Sequence, residues 1–129
     1  MTKIILDTSF IVHCAFYKVD FISELDRLFG KYSLFIIDKT FEELSKLSKN
    51  ANKFKASAKL ARAILDTIKP KQINSKKYVD DAIIDEISKS NEKYLVATHD
   101  DELKRRLIKK KTGIILLRQK SYLEIFLSL

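Results

Sequence analysis

With 129 residues the chain has the length of one domain, 1–129, long enough to bury a real core and too short for two. Two glycines and one proline, against 46% hydrophobic and 33% charged residues, exclude a disordered or linker-rich array. The excess of 25 Lys and Arg over 17 Asp and Glu, a net +8, favours a polyanionic partner, nucleic acid first.

In chain order, residues 3–6 are a short apolar run of strand length, and Thr8-Ser9-Phe10 begins a helix. Phe21, Ile22, Leu25, Leu28 and Phe29 keep the helical period after Asp20, and Gly30 ends that helix. A second apolar run, 34–37, precedes a short helix begun at Thr40 and marked by Phe41, Leu44 and Leu47. Phe54, Ala58, Leu60, Ala61, Ile64, Leu65 and Ile68 form the next stripe, stopped at Pro70, with polar links over 48–52 and 71–77. Asp80 and Asp81 open a helix carrying Ala82, Ile83 and Ile87; strand 94–97 leads to a helix marked by Leu103 and Leu107; strand 114–117 follows. Tyr122, Leu123, Ile125 and Phe126 are read as a last short helix. Doubly apolar strands alternating with helices predict an α/β fold, three layers α/β/α around a central parallel sheet.

Cys14 is the only cysteine, so no intrachain disulfide forms, and its apolar neighbours make it a buried hydrophobe. The N-terminus lacks the pattern of a secretory signal, and the longest uncharged run is too short for a bilayer. The expected location is cytoplasmic, with no membrane partner. Glycines at 30 and 113 alone build neither a dinucleotide-binding turn nor a P-loop, and two histidines in unsuitable settings argue against a Ser-His-Asp triad.

Four acids fall where a strand gives way to a turn or helix: Asp7, Glu43, Asp81 and Asp100. In a parallel sheet such residues converge on the crevice at the strands' carboxyl ends. Clustered carboxylates repel one another, and a hard cation with oxygen ligands offsets that repulsion. Each acid also has a plainer role. Asp7, Asp80 and Asp100 suit helix caps, and Thr40 with Glu43 has capping-box spacing. His99 beside Asp100 is disfavoured as a ligand, because neighbouring strand residues point apart and a hard cation prefers oxygen. Basic residues cluster at Lys76 and Lys77, before Asp81, and at Lys104, Arg105 and Arg106, after Asp100; both clusters suit a phosphate track. Tyr78 lies between the first cluster and Asp80, where it either packs or stacks on a base.

The ordered segments IILDTSFIV, FEEL, VDDAIIDEI and LVATHDDEL resemble the acidic motif set of PIN-domain ribonucleases, from residue 3 to about 123. Their spacing and the ending IILLRQKSYLEI are most similar to the archaeal small-subunit ribosomal RNA processing branch, and less to VapC toxins. The resemblance implies that Asp7, Glu43, Asp81 and Asp100 occupy the family's acidic positions, with Ser9 and Thr98 as supporting polar groups. Ser9 stands where many members carry Asn. The doubled acids at 42/43, 80/81 and 100/101 leave each ligand open by one position.

The function expected is a divalent-metal-dependent endoribonuclease using Mg2+ or Mn2+ on single-stranded RNA, in ribosomal RNA processing. Its partner is then a ribosomal RNA precursor, with a homodimer or an assembly factor left open. The rival readings are a silent RNA-binding or ribosome-assembly module and a VapC-type toxin ribonuclease. A phosphatase on small esters would want a second Asp two residues after the first, where Ser9 stands.

Overall fold

A computed structural model describes residues 1–127. In chain order it comprises β1 (Thr2–Leu6), α1 (Thr8–Phe16), α2 (Phe21–Phe29), β2 (Tyr32–Ile37), α3 (Thr40–Lys49) and α4 (Lys55–Ile68). There follow β3 (Lys71–Ile73), α5 (Val79–Lys89), β4 (Tyr94–Ala97), α6 (Asp101–Lys109), β5 (Ile114–Arg118) and β6 (Tyr122–Phe126). One sheet holds the strands in the order β3-β2-β1-β4-β5-β6. All pair in parallel except β6, which runs antiparallel to β5. The α/β architecture is the one the sequence predicts, with an antiparallel edge added.

The alternation of strand side chains explains the layers. Ile4 and Leu6 point to one face of β1 and Ile5 to the other, and all three are fully buried. The first face, with Ile36, Ala97 and Ile115, packs on Phe10 and Ile11 of α1, Leu25 of α2, Leu44 of α3 and Ala61 and Leu65 of α4. The second, with Ile37, Val96 and Ile114, packs on Val79 and Ile83 of α5 and Leu103 and Leu107 of α6. Each large aliphatic side chain so buried contributes about 1.5–3 kcal/mol, which outweighs the weak intrinsic preference of these short helices. Within the stripe of α4, Leu60 departs from expectation: it is 48% exposed.

Two local expectations fail. Residues 122–126 are strand β6, not a helix. Leu123 is buried between half-buried Tyr122 and exposed Glu124, a period of two. The reversal into β6 is a tight turn in which Gln119 and Lys120 both have positive φ, 50° and 56°, closed by Ser121 N–H donating to Arg118 O at 3.0 Å. Such turns usually carry Asn-Gly or Asp-Gly, so Gln-Lys gave no hairpin signal. Likewise, residues 71–73 fall in a polar link by composition yet form edge strand β3, paired on one side only with β2. Leu123→Ala should cost about 3 kcal/mol of unfolding free energy. Exposed Glu124→Ala should stay within about 0.5 kcal/mol, both read from denaturant curves.

The strand order fixes where a ligand can enter. β1 continues into α1 on one face and β4 into α6 on the other, so the chain diverges between these adjacent parallel strands. Open α/β sheets bind ligands in the crevice at such a switch point, beyond the strands' carboxyl ends. Among the described residues no helix is long and apolar enough to cross a membrane.

Candidate active site

Asp7 is the first residue beyond β1. Its N–H donates to Ala97 O at 2.9 Å, which extends the ladder and pins it against the end of β4. The side chain is 6% exposed. Although Asp7 stands at the N-cap position of α1, its side chain makes no cap bond. Instead Oδ2 accepts from the hydroxyls of Ser9 and Thr98, each at 2.7 Å. Ser9 Oγ and Thr98 Oγ1 lie 3.3 Å apart, and each also accepts a backbone N–H, from His99 and Asp100 respectively, at 3.1 Å. The ends of β1 and β4 are thereby tied into one polar knot.

Burial is the largest influence on Asp7 and raises its pKa. The two hydroxyls lower it, Glu43 and Asp100 raise it again, and the balance stands at about 6, against 3.8. Buried carboxylates near like charges are poised to gain from a cation. Among the described residues no donor engages Asp7 Oδ1.

Glu43 is reached through Thr8. The Thr8 hydroxyl donates to Glu43 Oε1 and lies 3.4 Å from Thr40 Oγ1. The capping box is not formed: α3 has Lys39 at its N-cap in helical conformation, no side chain caps it, and Glu43 N–H donates to Lys39 O. Thr40, fully buried, packs instead of capping. At Asp100 the cap does form, Oδ1 accepting from Leu103 N–H at 2.8 Å.

Asp7, Glu43 and Asp100 line one cavity of about 710 Å³, together with Ser9, Glu42 and Asp80. Asp81 does not join them. It faces a separate depression with Ile84 and Ser88, where its Oδ1 lies 2.9 Å from the Arg106 guanidinium. Asp80, one residue earlier on α5, turns to the main cavity and stands 3.6 Å from the same guanidinium. Thr98 is buried behind Asp7.

The cavity thus holds five carboxylates, Asp7, Glu42, Glu43, Asp80 and Asp100, against two lysines, Lys39 and Lys46. Among the described residues no three acidic, His or Cys side chains stand close enough to make a ready-formed cation cage. The donor set nonetheless fits a hard divalent cation of the magnesium type, which keeps several waters and takes one or two carboxylates directly. Asp7, with its free Oδ1, is the best-placed direct ligand, and the others suit contacts through water.

The expected phosphate track is largely committed to acids. Lys77 pairs with Asp85 at 3.1 Å, Lys104 with Asp101 at 3.5 Å, and Arg106 with Asp81. Among the described residues Lys76 and Arg105 have no carboxylate partner. Sequence reasoning passed over Lys39 and Lys46. The signal was available: Lys39, Glu42, Glu43 and Lys46 are spaced at i, i+3, i+4 and i+7, one face of a helix. His99 packs at a tilt against His13 with ring centroids 4.2 Å apart, and among the described residues its buried Nδ1 has no partner. Burial first, then His13 and Lys104, hold its pKa below the usual histidine value, so the neutral ring prevails near neutral pH.

A family described as a PIN-like domain matches residues 4–120. The chain belongs to the PIN-like domain family. Ribonuclease VapC4 of Methanocaldococcus jannaschii is 35% identical to it over 130 residues, covering 98% of each protein. Among solved structures, the PIN domain endonuclease Utp24 superposes with a TM-score of 0.78 at 25% identity, covering 98% of this chain and 94% of that one. The fold of this PIN domain is therefore shared along almost its whole length with proteins named as nucleases. The curated relative bears the VapC name, the branch that the sequence motifs resemble less.

Since α3 starts without a side-chain cap, replacing Glu43 should barely disturb it. Glu43→Gln is expected to move the thermal midpoint little while removing most Mn2+-dependent RNA cleavage; Glu42→Gln, whose carboxylate lacks the Thr8 bond, should be the milder change. The reverse order of activities would assign the ligand to Glu42.

Proposed function

We propose that the protein is a divalent-metal-dependent endoribonuclease acting on single-stranded RNA, with the cavity at the ends of β1 and β4 as its active site. One observation carries this reading: a buried, partly protonation-prone Asp7 shares that cavity with Glu43, Asp80 and Asp100 at the switch point of the sheet. Five carboxylates facing two lysines would repel a polyanion, so an acidic cavity in a chain of net +8 makes sense when a cation sits between protein and phosphate.

Asp7 would hold Mg2+ or Mn2+ directly, with Glu43, Asp80 and Asp100 engaged directly or through water. Bound there, the cation would make water a stronger nucleophile and offset charge building on the phosphate. The protein's own part is positional. Ser9 and Thr98 fix Asp7 Oδ2 and leave Oδ1 without a donor among the described residues, and Thr8 fixes Glu43. Lys39 and Lys46 supply positive charge to a phosphate lying across the mouth, and Arg105 and Lys76 extend that attraction. Acids spread over four elements hold the centre without any nucleophilic side chain.

For the biological substrate, the motif spacing and the ending of the chain favour a ribosomal RNA precursor. A VapC-type role is the second reading, favoured by the 35% identical relative of that name. The purified protein should cut single-stranded RNA in Mn2+ or Mg2+, lose the activity in EDTA and regain it on metal return. Activity surviving exhaustive chelation would overturn the mechanism. A small partner protein that co-purifies with the chain and silences it would decide for the VapC-type role.

A further inference from the structure

The cavity that contains the acids has a second, unused chemistry. Tyr78, at the N-cap of α5, is 77% exposed, an unusual state for a tyrosine, and its ring lines the cavity next to Asp80. Phe54, ahead of α4, lines it as well. The Phe54 ring is held edge-on to Phe16, centroids 5.1 Å apart, and tilted against His13 at 4.9 Å. His13 is in turn fixed by its Nδ1, 2.7 Å from Ser9 O, and by the tilted ring of His99 packed against it. The carbonyl only accepts, so Nδ1 carries the proton of this bond. Lys53 Nζ lies 5.1 Å over the Phe54 ring, and Phe54 as a whole is half-buried. Core packing explains the inner edge of Phe54. It does not explain a tyrosine 77% exposed on the wall of the same acidic cavity.

We infer that Tyr78 and the Phe54–His13 cluster form a nucleobase-stacking subsite, which seats a base of single-stranded RNA beside the phosphodiester presented to the carboxylates. The inference rests on the nucleic-acid reading above and deepens it by naming what the cavity recognises besides phosphate. Flat aromatic faces accept any base through its π-face, so the subsite demands an unpaired nucleotide rather than a particular sequence. A duplex keeps its bases stacked on one another and cannot offer one to these rings without unstacking. Selection for single strands is thus built into the same cavity that holds the acids, through aromatic faces rather than through ion pairing.

The test measures equilibrium binding of a short single-stranded RNA in Ca2+, a hard cation that offsets the carboxylates but whose larger, looser coordination is expected not to support turnover, with one abasic nucleotide walked along the chain. Wild type should bind intact RNA about tenfold more tightly than the RNA abasic at one particular position. Tyr78→Ala should weaken intact RNA by a similar factor and lose sensitivity to that abasic site, whereas Tyr78→Phe should behave as wild type. Because Tyr78 is so exposed, Tyr78→Ala should keep the wild-type thermal midpoint. Phe54→Leu, which keeps an apolar contact to Phe16, should give a partial loss of the same kind. Equal binding of intact and abasic RNA, no RNA binding at all, or an abasic penalty unchanged in Tyr78→Ala would each overturn the subsite. Base-dependent binding without cleavage in Mn2+ would leave the subsite standing and remove the nuclease reading; cleavage indifferent to abasic sites would do the opposite.

Discussion

Asp7→Asn should lower Mn2+-dependent RNA cleavage by more than about 100-fold, beyond the loss typical of an outer-shell ligand partner, while leaving the protein at least as stable near pH 7. The amide keeps an oxygen for the Ser9 and Thr98 hydroxyls but carries no charge. The sign follows from the shift. Asp7 titrates at about 6 in the fold, above its ordinary 3.8, so the folded state binds its proton more tightly than the unfolded chain. Above about 6 the carboxylate is ionised in both states and the folded state bears the full burial penalty. As pH falls toward 4 the penalty disappears, so this group makes wild type more stable on mild acidification. The rise from 3.8 to about 6 corresponds to ~3 kcal/mol. Asp20, Glu24 and Asp85 have lowered pKa values and act in the opposite sense, but they are shared by both proteins and cancel in the difference.

The decisive measurement is therefore the stability difference between Asp7→Asn and wild type from about pH 7 down to about pH 4. The variant's advantage should shrink toward acid. Mn2+ should raise the thermal midpoint of wild type and not of the variant, since only the carboxylate gains from the cation. A difference flat with pH would mean that Asp7 is not desolvated as the structure indicates. A variant that still cuts RNA would remove Asp7 from the mechanism.

Strands β1, β2, β4 and β5 were legible because each carries a continuous apolar run: Ile4, Ile5 and Leu6 could only be buried between two layers of helices. The convergence of Asp7 and Asp100 was legible too, since a parallel sheet gathers strand ends by construction. What escaped was set by contacts far apart in sequence. Strand β6 depends on pairing with β5 through a turn whose Gln-Lys residues accept positive φ without advertising it. Thr40 and Glu43 have capping-box spacing, yet Thr40 is drawn into the core and Glu43 is claimed by Thr8, thirty-five positions away in sequence. Local chemistry proposed a cap, and tertiary packing overruled it. Phe54 and Tyr78 were read as packing or optional stacking residues because a sequence does not reveal which aromatic faces stay open.

The pair Asp80 and Asp81 sets the family resemblance against the geometry of this chain. The resemblance assigns the acidic position to Asp81; the structure turns Asp80 to the cavity and ties Asp81 to Arg106. Both are half exposed in the first turn of α5, so neither removal should cost more than about 1 kcal/mol of stability. With the geometry as it stands, Asp80→Asn should lose most Mn2+-dependent cleavage, and Asp81→Asn should keep it. Arg106 makes the comparison sharper, because its guanidinium lies 2.9 Å from Asp81 and 3.6 Å from Asp80 and restrains both. Arg106→Ala releases them together. If Asp81 serves the cation only after leaving Arg106, Arg106→Ala should tighten Mn2+ binding and Asp81→Asn should abolish it. If Asp80 is the ligand, Asp81→Asn should leave Mn2+ affinity near wild type, and Asp80→Asn should weaken it whether or not Arg106 is present. Metal titrations on these variants and on Asp80→Asn combined with Arg106→Ala separate the two assignments without relying on activity.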